Sequence, residues 1–236
     1  MQGNILRECL QLPRSTPYEA MLLETGMSTM KGRIWYKKMM WYQNILKSDR
    51  ERLVKKVVAE QTERDRKGTW YDGVKQMMTY YGIEDEANKI MKSEWKRSVK
   101  TKIRNKEEER MRQECEDKPK YRIVLQGKYE MKQYLKDLPI GTAKGILEAR
   151  LLMIKVPGNY KSRDELGNCW LCGEGNEDME HLYECKKTGE LRNQWNTSKY
   201  DLLSDNTDEL TRTSLFLSQV ETLMEPKWLL LDCKEK

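Results

Sequence analysis

The sequence predicts a mostly α fold, a helical bundle with a small cysteine- and histidine-bearing module and C-terminal helices. Three observations predict it. Long stretches are rich in Lys, Glu, Met, Leu and Arg, which lose little side-chain freedom in a helix, while alternating β-branched runs are scarce. Gly26, Gly68, Gly82, Pro119 and Pro157-Gly158 punctuate these stretches. Three of the six cysteines and the single histidine gather between Cys169 and Cys185.

The first helix start is Thr16-Pro17-Tyr18-Glu19. Thr16 suits the cap, Pro17 the first helical position, where its missing N–H costs nothing, and Glu19 the return arm of a capping box. Gly26 stops this helix. A second helix over Ser28 to Lys47 sets Trp35, Met39, Tyr42 and Leu46 on one stripe. Ser48 to Glu51 reads as another capping box, opening a helix with Leu53, Val54, Val57 and Val58 inward that ends near Gly68. Thr69 to Tyr81 gives the next, closed by Gly82. No Pro or Gly interrupts Asp85 to Asp117, and Ile90, Met91, Trp95, Val99 and Ile103 recur at helical spacing, so one long helix is expected. Tyr121 to Leu125 is the one stretch with strand character. A helical pair, Lys128 to Leu138 and Gly141 to Lys155, precedes the break at Pro157-Gly158-Asn159.

Charge is distributed unevenly. Residues 1–160 hold 34 Lys/Arg against 22 Asp/Glu, and residues 161–236 hold 10 against 16. The sign changes at the Pro157 break, so the expected domains are a basic helical domain, 1–157, and a Cys/His segment with an acidic helical tail, 158–236. A basic body makes an anionic partner, typically nucleic acid, a candidate. No apolar stretch approaches the ~20 residues of a spanning helix. Arg7 and Glu8 stand where a signal peptide needs its apolar core, and six cysteines in a chain of this length are no disulfide scaffold. The expectation is an intracellular protein, nuclear or cytoplasmic, with reduced thiols and no membrane association.

The most specific pattern is Cys169-Trp-Leu-Cys172, eight residues, His181, three residues, Cys185. A C-x2-C step brings two thiolates to one ion from a tight turn, and Gly173 lets the backbone fold so that amides point at sulfur. His181 and Cys185, four apart, share one face of a helical turn. Four such ligands fill a tetrahedral Zn2+ shell and leave no position for a reacting water, so a CCHC site here is structural and not catalytic. The other reading is a reduced cysteine cluster beside an unrelated histidine. Cys9, Cys115 and Cys233 show no partnered spacing.

These residues carry a family resemblance. The segment from Cys169-Trp-Leu-Cys172-Gly173-Glu174 through Met179-Glu180-His181-Leu182-Tyr183-Glu184-Cys185 resembles the zinc-binding segment near the C-terminus of non-LTR (LINE-type) retrotransposon reverse transcriptases. Leu12-Pro13-Arg14-Ser15-Thr16-Pro17-Tyr18-Glu19-Ala20, Arg33-Ile34-Trp35-Tyr36-Lys37-Lys38 and Asn44-Ile45-Leu46-Lys47-Ser48-Asp49 are similar to the helical region after the polymerase domain. Ile146-Leu147-Glu148-Ala149-Arg150 and Asn159-Tyr160-Lys161 fit the approach to the finger. The resemblance spans about Leu12 to Trp195. It implies a chain lying downstream of the catalytic domain, as a truncated copy or a reused piece. The Tyr-x-Asp-Asp turn of the family's polymerase is missing, since no Asp-Asp pair occurs in the chain, and no convincing nuclease constellation follows the finger. No enzymatic activity is therefore expected.

The resemblance also implies that the helical body and finger grip RNA or DNA. Candidate contacts are Lys96, Arg97, Lys100, Lys102 and Arg104 on the long helix, Lys161 and Arg163 before the first ligand, Lys186 and Lys187 after the last, and Trp170 between the leading cysteines. Two bland readings stand beside this: a solvated helix laced with i,i+4 ion pairs, and a Trp170 packed against a neighbouring helix. The rival function is a scaffold, in which a zinc site staples helices and the acidic tail, with Leu203, Leu210, Leu215, Leu217, Val220 and Leu223, forms a helix for a protein partner. A genomic relic with no selected activity is the third reading.

Overall fold

In the computed structural model, which describes residues 2–64, 66–116, 118, 121–154, 168–175 and 178–232, the mostly α expectation is met: 70% of the described residues are helical and none forms a strand. The helices are α1 (Gln2–Cys9), α2 (Tyr18–Thr25), α3 (Met30–Leu46), α4 (Leu53–Arg64), α5 (Trp70–Tyr81), α6 (Lys92–Glu116), α7 (Arg122–Gln126), α8 (Tyr134–Asp137), α9 (Ile140–Arg150), α10 (Met179–Glu184), α11 (Gly189–Trp195) and α12 (Thr207–Asp232). No helix among the described residues is long and apolar enough to cross a membrane.

The chain divides into two compact units. A central unit is Ser28–Met111, and a split unit joins Met1–Met27 to Arg112–Lys236. The boundary expected at Pro157 lies in residues 155–167, outside the described residues; the two compact units meet in sequence at Met27/Ser28 and Met111/Arg112.

In the central unit α3, α5 and α6 bury Met39, Tyr42, Ile45, Val74, Met77, Met78, Trp95, Val99 and Ile103. Caps set the helix limits as their chemistry dictates. Thr69 accepts the Asp72 N–H to start α5, and Gly82, at φ +60°, ends it in the left-handed conformation. The long helix is shorter than its apolar spacing predicts and begins at Lys92. The preceding turn spends its carbonyls on α3: Gln43 Nε2 donates to Ala87 O at 3.1 Å, and Lys47 Nζ to Ile90 O. The capping box at Ser48 does not form. Ser48 Oγ turns back to Ile45 O, Asp49 accepts the Glu51 N–H, and α4 opens only at Leu53.

In the split unit α9 and α12 pack together, and Ala149, Ile154, Met179, Leu182, Tyr183, Leu202, Phe216, Leu217, Val220 and Met224 form one buried cluster. Thr16 does not cap α2: the helix starts at Tyr18 after Pro17, and the buried Thr16 Oγ1 finds no hydrogen-bond partner among the described residues. Tyr121 to Leu125 is not a strand. With no neighbouring ladder to satisfy its backbone, it folds as α7, whose end is held by the Arg112 guanidinium on Leu125 O and Gly127 O. The helix expected over Lys128 to Leu138 contracts to Tyr134–Asp137. Arg150 Nε donates to Glu24 Oε2 at 2.9 Å, Tyr134 donates to the same oxygen at 2.9 Å, and a further Arg150 N–H reaches Leu202 O. Side chains 3% and 0% exposed thus pair across 126 positions of sequence.

Candidate metal centre

Cys169 and Cys172 lie on a tight knuckle. The Gly173 N–H bonds back to Cys169 O at 2.8 Å and the Cys169 N–H to Gly175 O at 3.0 Å, while Gly173 and Gly175 take φ +76° and +68°, conformations that glycine adopts without strain. Gly175 has a second reason to lack a side chain, because a Cβ there would sit 2.8 Å from His181 Nδ1. The knuckle aims amides at sulfur, as expected: Leu171 N–H at Cys169 Sγ and Glu174 N–H at Cys172 Sγ, both at 3.4 Å. On the other side Asp178 caps α10 by accepting the His181 N–H at 2.8 Å, and the Cys185 N–H bonds to His181 O, so both remaining ligands come from one helical turn. Thr188 anchors the chain just beyond, donating toward Leu182 O and Cys185 O.

The four donor atoms lie within 4.8 Å of one another. Cys169 Sγ and Cys185 Sγ are 3.9 Å apart, and Cys172 Sγ and His181 Nε2 3.3 Å. A tetrahedron with metal–sulfur bonds of about 2.3 Å has sulfur–sulfur edges of about 3.8 Å. The donor set and its spacing therefore fit a single four-coordinate ion. Cys169 and Cys185 are buried and Cys172 is half-buried. Burial pushes the Cys169 thiol up to about 11, whereas the Glu174 N–H draws Cys172 down to about 7. No known family, curated protein or solved structure matches this chain.

The knuckle is tied into the split unit. Trp170 is half-buried and packs, with Leu171, against the cluster that holds Leu182 and Tyr183, whose ring lies 5.2 Å from Phe216 on α12. Of the other expected nucleic-acid contacts, Lys96, Arg97 and Lys100 stand exposed on α6. Lys102 instead donates to Gly82 O, and Arg104 is half-buried with its own interactions. Lys186 pairs with Glu174 at 2.8 Å, Lys187 is exposed, and Lys161 and Arg163 lie outside the described residues. Asp178 and Thr188 are positioning residues that the spacing argument passed over; an Asp three residues before a helical histidine is the signal that would have marked the first.

Proposed function

We propose that this chain is a non-catalytic nucleic-acid-binding protein in which Cys169, Cys172, His181 and Cys185 hold one structural Zn2+, and that it is related to the post-polymerase region of a non-LTR retrotransposon reverse transcriptase. The observation that carries the binding reading is where the charge falls. The central unit, 28–111, holds 22 Lys/Arg against 13 Asp/Glu, a net of +9, and the rest of the chain 22 against 25, a net of -3. A compact cationic body displaces counterions from a phosphate backbone and gives salt-dependent, sequence-tolerant affinity.

Three thiolates and an imidazole suit Zn2+ among the common ions, and with all four positions taken by protein the ion supplies folding energy and no reacting water. The residues around it do the positioning: two amides hold the leading sulfurs, Asp178 aligns the helical turn of His181 and Cys185, and Gly175 leaves room for the imidazole.

Of the six tail residues on which the scaffold alternative rests, Leu210, Leu217 and Val220 are buried in the chain's own core, while Leu203, Leu215 and Leu223 stay exposed. Two measurements on the whole chain test the proposal. Native mass spectrometry is expected to find one zinc per chain, and retention of labelled RNA or DNA is expected to weaken steeply from low to moderate salt. A bare polypeptide mass with zinc in excess sinks the metal reading. Indifference to nucleic acid at low salt sinks the binding reading, as does polymerase or nuclease turnover abolished by a point substitution for the non-catalytic one.

A further inference from the structure

The cations of α3 differ from those elsewhere in the central unit. The helix contains Lys31, Arg33, Lys37 and Lys38 and no Asp or Glu, and none of the four forms an ion pair among the described residues. Most charged helices neutralise themselves through i,i+4 partners, as Arg64 and Glu60 do on α4. The one carboxylate at the start of α3, Glu107, is buried against its first turn and spends its oxygens on Thr29.

The same helix face carries aromatic rings. α3 and α5 run antiparallel side by side, which the partners show: Lys31 with Tyr80, Lys38 with Gly73 and Trp41 with Trp70. Lys31 Nζ lies 5.8 Å from the centre of the Tyr80 ring, and Lys38 Nζ lies 5.1 Å from Trp35 and 3.7 Å from where a Gly73 side chain would begin. Trp41 meets Trp70 in a T-shaped contact at 5.0 Å. Trp41 and Tyr80 are each 50% exposed, and for tryptophan, highly buried on average, that exposure is unusual. From Lys31 to Trp41 the helix rises about 15 Å, and along that length two ammonium groups alternate with rings on one seam.

We propose that the α3–α5 seam is a binding site for single-stranded nucleic acid, with bases stacking on Trp41 and Tyr80 and phosphates meeting Lys31 and Lys38. Interleaved rings and unpaired cations are what a flexible strand requires: every base offers a face to stack, and the backbone follows the positive charge. A duplex keeps its bases stacked inside and can use only the cations. The inference rests on the nucleic-acid reading above and narrows it, naming residues of α3 and α5 as the contact and choosing the strandedness.

The test is fluorescence anisotropy of the whole zinc-loaded chain with a labelled single-stranded 12-mer and its duplex, alongside intrinsic tryptophan emission. Preference for the single strand with quenched emission is expected. Trp41→Ala is expected to weaken binding about tenfold and Trp41→Phe to restore most of it. Lys31→Ala, at an exposed position, with Lys38→Ala, at a half-buried one, is expected to lower the salt slope by about 1.4 while leaving the denaturant midpoint close to that of the parent chain. Tight binding that these three variants leave unchanged overturns the seam and spares the nucleic-acid reading. No binding at any salt removes both. Equal affinity for the duplex, or displacement by polyglutamate as effectively as by unlabelled 12-mer, overturns the seam as a base-stacking site.

Discussion

Glu107 illustrates how much one side chain can decide. Together with Glu108 and Glu109 it reads as part of a solvated acidic run, yet it is 5% exposed and accepts the backbone N–H and the hydroxyl of Thr29 at the start of α3. A carboxylate there meets unpaired N–H groups and the positive end of the helix dipole. Gly32 makes the approach possible, since a methyl group in its place would lie 2.5 Å from a Glu107 carboxylate oxygen. Gly32→Ala is therefore expected to destabilise the chain by about 1–3 kcal/mol, against the ~1 kcal/mol that alanine gains in helix propensity, as read by denaturant unfolding. The buried Glu24–Arg150 pair makes the same point in the split unit. Arg150→Met leaves Glu24 charged without its partner and is expected to cost about 3–5 kcal/mol, whereas Glu24→Leu combined with Arg150→Met recovers most of that loss. Neither contact is visible in sequence, because the partners stand 78 and 126 positions apart and nothing in their neighbours marks them.

Elements bounded by local chemistry were legible; elements bounded by distant partners were not. Thr69 and Gly82 bracket α5, and Gly26 ends α2 at φ +62°, because caps act within a turn of their own helix. α7 was not legible because its β-branched Ile123 and Val124 favour a strand, for which no pairing strand exists among the described residues. The Cys3His cluster belongs with the legible elements, and its stability belongs with the packing. α10 has only six residues, too few to hold itself, and its Leu182 and Tyr183 pack in one buried cluster with Phe216, Leu217 and Val220 of α12. Cys185→Ser or a chelator is expected to change far-UV dichroism little and to disturb the near-UV signal of Tyr183 and the adjoining tryptophans strongly. Cys169, with its thiol near 11, must give up its proton to a metal, so apparent affinity is expected to rise at least about tenfold per pH unit between pH 7 and 8 and to fall on acidification. A pH-independent affinity in a metal-buffered titration would contradict that assignment of ligands.

On the scale of the whole molecule, the arrangement of charge supplies the prediction. Four phosphates neutralised by the central unit are expected to cost about a hundredfold in duplex affinity between 50 and 200 mM salt, measured on the full chain. The sequence by itself determined the helical class, the ends of α5, the stop of α2 at Gly26 and the Cys3His quartet, since each is written in residues close together along the chain. Only the tertiary structure decided that residues 28–111 form a unit of their own, that Glu107 and Arg150 are interior groups, and that the rings and cations of α3 and α5 share one seam. Those features depend on which distant surfaces exclude water together, and chain spacing does not encode that.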